Sequence, residues 1–283
     1  MNKTANTWAL MKASWQVLMR DKALLLFPVV SGIACFLVLL TFLVPAIGLS
    51  GSGMGGIERG YGGVGGYVLL FCYYLCNFFV VFFFNAALVD YVMTRLSGGE
   101  PTIGASLRAA TACLPQIAAW AVIASTVGVI LKALESRAGF LGRIVIALVG
   151  VAWALVTYFV VPLIVIERKG AVAALGDSRD LLARTWGKQI VSGLGYGLIG
   201  FLLTVPAIIV IALAIFGIAT SGGQHVGGFG SLAVLAVLYL IGLVIVLSAL
   251  RAIFGVVLYR FATTGDTPEG FDAAQLRGAI QPS

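Results

Sequence analysis

Residues Ser231–Leu250 read SLAVLAVLYLIGLVIVLSAL, twenty positions without one charged side chain. A helix needs about 20 mostly apolar residues to cross the ~30 Å hydrocarbon core of a bilayer. Other apolar runs of this chain reach the same length. Together the six runs cover about residues 24–49, 67–92, 114–134, 144–166, 190–220 and 231–259. The sequence therefore predicts an all-α, polytopic membrane protein with six transmembrane helices.

The overall composition agrees with this prediction. Hydrophobic residues make up 60% of the chain and charged residues only 10%, whereas about 25% of the residues in ordinary soluble domains are charged. The polar segments between the apolar runs are too short for a soluble domain, which takes about 50 residues or more. We therefore predict one integral membrane domain, residues 1–283.

Basic side chains concentrate on one side of the predicted bundle. Thirteen of the 18 Lys and Arg residues fall in segments that share a side with the N-terminus, and four fall in the opposite loops. Because Lys and Arg are retained on the cytoplasmic side, we predict a multi-pass protein of the cell membrane with cytoplasmic N- and C-termini. The net charge of +7 is spread along this membrane edge, so we expect contact with the lipid bilayer and no binding of nucleic acid.

A short amphipathic segment precedes each predicted hairpin on that side. The three segments begin near Trp8, Ile103 and Ala171, and their apolar residues recur at helical spacing. Such helices lie in the headgroup plane with their charged side toward water. We therefore predict three cytoplasmic interfacial helices. Three related helix-and-hairpin units would explain the pattern; the alternative is that interfacial helices simply recur between unrelated hairpins.

The residues that usually carry chemistry are scarce. The one histidine, His225, lies in a glycine-rich loop, which argues against His-based metal clusters and most nucleophile–base pairs. Cys72 and Cys76 share a helix face, but no His or carboxylate accompanies them, so we interpret them as packing residues. We expect no metal, no cofactor and no catalytic residue.

Four polar side chains border or enter the spans. Asp90 and Arg251 lie near the inner ends of the second and sixth runs. We predict that they form an ion pair; the alternative is a gate or proton relay. Asn77 and Asn85 lie deep in the second run, where an amide either hydrogen-bonds a neighbouring helix or binds a substrate or ion.

Several segments resemble a known family. They are WALMKASW at Trp8–Trp15, DKALLLFP at Asp21–Pro28, FFFNAAL at Phe82–Leu88, GGEPT at Gly98–Thr102 and TWGKQI at Thr185–Ile190. These segments are similar to a bacterial membrane family, domain of unknown function 6159. The resemblance implies a bacterial multi-span membrane protein. It brings no activity, cofactor or catalytic residue.

The leading functional hypothesis is a non-enzymatic protein that organises lipid or a partner protein at the cytoplasmic face. The contacts to lipid headgroups would come from Arg179, Arg184 and Lys188, because anionic headgroups attract such side chains. The protein partners left open are another membrane protein and a second copy of this chain.

Two other functions stay open. A small transporter or channel would use the spans that prolines interrupt, with Pro206 as the predicted kink, and the amides of Asn77 and Asn85. A lipid-modifying enzyme would need Asp177 and Asp180, or Asp90, for acid–base or metal chemistry. Both aspartates of the first pair lie on the third amphipathic segment, where carboxylates more often form the wet face of an interfacial helix.

Overall fold

The computed structural model describes residues 3–49, 64–186, 193–220, 226–268 and 271. The helices are α1 (Lys3–Arg20), α2 (Leu26–Leu49), α3 (Val64–Leu96), α4 (Ile103–Thr111), α5 (Leu114–Arg137), α6 (Phe140–Val156), α7 (Val160–Ile166), α8 (Ala171–Trp186), α9 (Gly193–Thr220) and α10 (Val226–Thr264). A 3₁₀ turn at Lys22–Leu25 joins α1 to α2. The described part of the chain contains no strand, and the all-α prediction is confirmed.

Six helical segments within the described residues are long and apolar enough to cross a membrane. They are Lys22–Leu43, Gly65–Leu96, Leu114–Arg137, Phe140–Ile166, Gly200–Thr220 and Gly227–Thr264. Large apolar side chains lie exposed on them; Phe140 is 80% exposed and Phe216 is 67% exposed. Water-soluble proteins rarely expose apolar patches of this extent. The prediction of a polytopic membrane protein with six spans is therefore confirmed.

The helices group into two compact units. The terminal unit comprises Met1–Leu25 and Trp186–Ser283, and the central unit comprises Leu26–Thr185. The terminal unit contains α1, α9 and α10, while the central unit contains α2 to α7 and α8 up to Thr185. The prediction of one membrane domain stays a prediction.

Aromatic rings join four helices of the central unit. The contacts run from Phe42 of α2 through Tyr73, Tyr74, Phe78 and Phe82 of α3 to Trp120 of α5 and Trp153 of α6. Successive ring centroids along this path lie 5.7 to 5.9 Å apart. Such pairs contribute about 0.5–1.5 kcal/mol each beyond the area that they bury. The rings therefore fix α3 between its neighbours.

The turn between α3 and α4 has well-defined ends. Gly98 adopts a left-handed conformation with φ of 80°, which glycine tolerates without steric cost. Its N–H donates to the Arg95 carbonyl, and the Gly99 N–H donates to the Thr94 carbonyl at 3.0 Å. This Schellman pattern terminates α3. The Thr102 hydroxyl then accepts from the Ala105 N–H at 3.2 Å and caps α4, as an N-cap residue should.

Close contact between α9 and α10 characterises the terminal unit. A Cβ atom placed on Gly217 would lie 2.6 Å from a ring carbon of Phe229, so a larger residue at this crossing would have to displace the ring. The Tyr239 hydroxyl donates to the Leu203 carbonyl at 3.2 Å and joins the two helices again. Helix α1 packs against both α9 and α10.

Candidate functional site

The fourth span is broken where the sequence places a proline. Helix α6 ends at Val156, and α7 begins at Val160. Pro162 lacks the N–H that would donate to the Tyr158 carbonyl, and its ring clashes with that carbonyl. Pro206 lies inside α9, which is assigned as one helix; the kink predicted there stays a prediction.

Ser178 of α8 binds the backbone at this break. Its hydroxyl accepts a hydrogen bond from the Phe159 N–H at 3.2 Å and donates one to the Val156 carbonyl at 2.6 Å. Ser178 and Phe159 are both fully buried. Buried backbone groups need such partners. The side chain of Ser178 therefore joins the amphipathic helix α8 to the transmembrane span by two hydrogen bonds.

Charged residues surround the link between α7 and α8. Lys169 Nζ lies 2.6 Å from Glu167 Oε2 and 2.5 Å from Asp177 Oδ2. The hydrogen bond to Asp177, followed by that to Glu167, raises the pKa of Lys169 above its ordinary value. All three side chains are about a third or more exposed, and exposed ion pairs contribute only about 0–1 kcal/mol. Lys169 therefore orients the link more than it stabilises the fold.

Arg168 connects the same link to α4. Its φ of 56° lies in the left-handed region, which costs about 1–2 kcal/mol for a residue with a Cβ atom. Its guanidinium donates to Cys113 Sγ at 3.1 Å and to the Ala109 carbonyl at 3.4 Å. Ala109 belongs to the last turn of α4, where the helix dipole favours a cation. The buried Cys113 thiol in turn donates to the Ile164 carbonyl at 3.6 Å.

These contacts define a polar cluster at one end of the central unit. It consists of Cys113, Glu167, Arg168, Lys169, Asp177 and Ser178. The cluster ties α4, α7 and α8 together. Among the described residues, no group of three or more His, Cys, Asp or Glu side chains is placed to hold a metal ion. The cluster can therefore position a helix and present charge.

Sequence reasoning missed two residues that connect different segments, Ser178 and Arg168. Ser178 lies four positions after the buried Ala174, on the apolar side of α8, and a hydroxyl at such a position was the available signal. The role of Arg168 depends on the fold, because Cys113 and Ala109 precede it by 55 and 59 positions.

The predicted headgroup residues lie at or near α8. The Arg179 side chain is 72% exposed and pairs with Asp180 at 3.0 Å. Arg184 belongs to α8, but its side chain lies outside the described part of the structure, as does the whole of Lys188. Headgroup contact by the three residues stays a prediction.

The other predicted positions lie in two separate helices. Asp90 is half-buried in α3 of the central unit, and Arg251 is exposed in α10 of the terminal unit; their ion pair stays a prediction. Asn77 donates to the Tyr73 carbonyl of its own helix at 3.0 Å. Asn85 is half-buried in α3, and substrate binding by either amide stays a prediction.

One further polar atom stands out in the central unit. Gln116 lies in the first turn of α5. Its Oε1 is buried and has no hydrogen-bond partner among the residues that the structure describes. A buried acceptor without a partner costs about 1–3 kcal/mol.

Together, the spans and the polar cluster define a multi-pass, all-α membrane protein with short helices fastened to its spans. The model of the Family of unknown function (DUF6159) matches residues 64–270. The chain belongs to this family, as the resemblance of its segments predicted. The matched region begins with α3 and includes the whole polar cluster, whereas α1 and α2 precede it. Comparison with curated proteins and with solved structures finds no match.

Proposed function

We propose that this chain is a non-enzymatic membrane protein that organises anionic lipid at the face formed by α4 and α8. The observation that carries the proposal is the attachment of α8 to the broken fourth span. Ala171, Ala174 and Ser178 are buried on one side of α8, while Arg179 on the other side is exposed. A helix held in this way keeps its charged side at a fixed depth relative to the span.

The charge of this face suits anionic headgroups. Arg108 of α4, Arg168 and Arg179 are all exposed. An anionic membrane surface attracts each such residue by about 1 kcal/mol. The pairing of Arg179 with Asp180 lowers its share of this attraction, so Arg184 and Lys188 are expected to add the rest.

The same contacts support the absence of enzymatic activity. Asp177 and Asp180 are the pair that a lipid-modifying enzyme would use, and each is bound to a cation, Lys169 and Arg179 respectively. General acid–base catalysis needs a carboxyl group within hydrogen-bond reach of the substrate. We therefore propose a binding role for this helix.

We place this face in the cytoplasm and the chain in the cell membrane, because Lys and Arg are retained on the cytoplasmic side. Reporter fusions at each terminus, one that is active only in the cytoplasm and one that is active only outside it, test this orientation. Activity of the external reporter at either terminus would overturn it.

The lipid proposal is tested by replacing Arg179, Arg184 and Lys188 together with Gln. A matched control replaces Lys132, Arg137 and Arg143 with Gln. This control removes the same amount of positive charge, from the opposite ends of spans. Native mass spectra of protein released from nanodiscs that contain phosphatidylglycerol and phosphatidylcholine count the retained lipids. We expect weaker retention of phosphatidylglycerol, by up to about fivefold for each cation lost. Equal retention by the two triple variants would refute the proposal.

The broken fourth span favours a second candidate, a small transporter. Transporters use interrupted helices to present backbone groups to a solute. Here Ser178 binds the backbone on both sides of the break, so transport would require this contact to open. Solute flux into proteoliposomes that rises on Ser178→Ala and falls on Asn85→Leu would support transport, and absence of flux across a broad solute panel would exclude it.

A further inference from the structure

A groove of about 840 Å³ opens in the terminal unit between α1, α9 and α10. One wall is a stripe of α10 that consists of Tyr239, Gly242, Leu243, Val246, Leu247 and Leu250. These positions follow the spacing of a single helix face. Trp15 of α1 and Leu203 of α9 form part of the opposite walls. The volume lies in the range of small-molecule sites, about 300–1,000 Å³.

The groove has the length of one bilayer leaflet. From Tyr239 to Leu250 the stripe rises about 16 Å, at about 1.5 Å for each residue of an α-helix. Half of the hydrocarbon core of a bilayer is about 15 Å. The hydrogen bond from Tyr239 to the Leu203 carbonyl links the two helices at one end of the stripe. An acyl chain of a single leaflet therefore matches the groove in length and in polarity.

Two cations border the groove. Lys12 of α1 lines it and is exposed. Arg251 follows Leu250 directly, and a Cβ atom placed on Gly200 would lie 3.9 Å from its guanidinium and 3.2 Å from Leu247 Cδ1. Leu247, which lines the groove, and the Arg251 guanidinium therefore both lie close to Gly200 of α9. Long basic side chains extend from apolar surfaces to reach headgroups, and tryptophan favours the same depth.

We propose that this groove binds one acyl chain of an anionic phospholipid from the surrounding bilayer, with its phosphate held by Lys12 and Arg251. The apolar stripe would bind the acyl chain, and the two cations would bind the negative headgroup. This site lies in the terminal unit, whereas the lipid face of α8 belongs to the central unit. The proposal therefore goes beyond the lipid face of α8 and does not depend on it.

The test uses the full-length protein in nanodiscs of phosphatidylcholine and phosphatidylglycerol. The probe is a phosphatidylglycerol that carries a photoreactive diazirine on its acyl chain, and the matched probe is the corresponding phosphatidylcholine. Peptide mass spectrometry locates the labelled residues. We expect the first probe to label Trp15 and the stripe residues Leu243–Leu250 more strongly than the second, by about fivefold for each cation that contacts the headgroup.

Two substitutions distinguish binding of the lipid headgroup from binding of the acyl chain. Lys12→Gln should lower labelling by the anionic probe about fivefold and leave labelling by phosphatidylcholine unchanged. Gly242→Leu should lower labelling of the stripe by both probes, because it fills the groove. A Cβ atom at Gly242 meets no other atom within 4 Å, so this variant can fold. Arg143→Gln, on α6 of the central unit, is the control and should change neither.

Other outcomes would overturn the proposal. Equal labelling by both probes that Lys12→Gln does not change would identify ordinary boundary lipid. An unlabelled groove in a protein that runs as a dimer would assign the groove to a second copy of the chain. The triple Gln variant of Arg179, Arg184 and Lys188 should leave labelling of the groove unchanged, so the two lipid sites succeed or fail independently.

Discussion

Replacement of Ser178 by Ala removes the hydroxyl that binds the broken fourth span. The Phe159 N–H loses its acceptor at 3.2 Å, and the Val156 carbonyl loses a donor at 2.6 Å. Ser178 is fully buried, so water does not readily replace these contacts. The variant therefore tests whether α8 is attached to the span at this residue.

The contacts set the size of the effect. Hydrogen bonds between transmembrane helices contribute about 0.6 kcal/mol on average, whereas a buried polar group left without a partner costs about 1–3 kcal/mol. For the two contacts together we expect a loss of about 1–3 kcal/mol in the free energy of unfolding. If opening is local, hydrogen exchange of the Phe159 amide should accelerate by about 5- to 150-fold.

Ser125→Ala is the matched control for this measurement. Ser125 is also fully buried in the central unit, and its hydroxyl donates to the Ala121 carbonyl of its own helix at 2.6 Å. That carbonyl also accepts the backbone N–H four residues later in the helix, so little is lost. The free energy of unfolding in mixed micelles and the hydrogen-exchange rate of the Phe159 amide should change much less than for Ser178→Ala. Equal effects of the two substitutions would refute the assigned role of Ser178.

Three further substitutions have defined outcomes. The free energy of unfolding should be about 1 kcal/mol higher for Arg168→Gly than for Arg168→Ala. Both variants lose the guanidinium contacts, and only Ala keeps the left-handed strain. Equal stability of the two variants would contradict that strain. Gly217→Ala should lower the free energy of unfolding by about 1–3 kcal/mol, because its Cβ atom meets the Phe229 ring. Gly230→Ala meets no atom within 4 Å and is its control, so equal losses would rule out the steric cause. Gln116→Leu should leave thermal stability unchanged or raise it, because it removes a buried acceptor without a partner; a clear loss would show that Oε1 has a partner.

The six spans could be predicted because a bilayer imposes length and apolarity on each of them directly. The helix break was harder, since prolines occur in several spans and the sequence alone does not rank them. Pro206 was the predicted kink; it lies inside α9, and a bend there stays a prediction. At the break that precedes Pro162, Ser178 of another helix binds the Phe159 N–H and the Val156 carbonyl. Breaks in membrane helices persist where a neighbour binds the freed groups.

The candidate site was predicted only in outline. Asp177 and Asp180 were interpreted as part of the wet face of an interfacial helix. Asp180 pairs with Arg179 of the same helix, whereas Asp177 pairs with Lys169 in the preceding link. Lys12 lines a groove in the structure, and no pattern in the sequence indicated that position. Side chains that act between helices depend on packing, which spacing within one segment does not encode.

The preference of the protein for anionic lipid is the most direct test of its proposed role. Electron spin resonance of spin-labelled phosphatidylglycerol and phosphatidylcholine in reconstituted membranes measures how much of each lipid the protein immobilises. We predict an excess for phosphatidylglycerol that declines as salt screens the exposed cations and that declines further in the Arg179, Arg184 and Lys188 triple Gln variant. Equal immobilisation of the two lipids at low salt would contradict the organisation of anionic lipid by this chain.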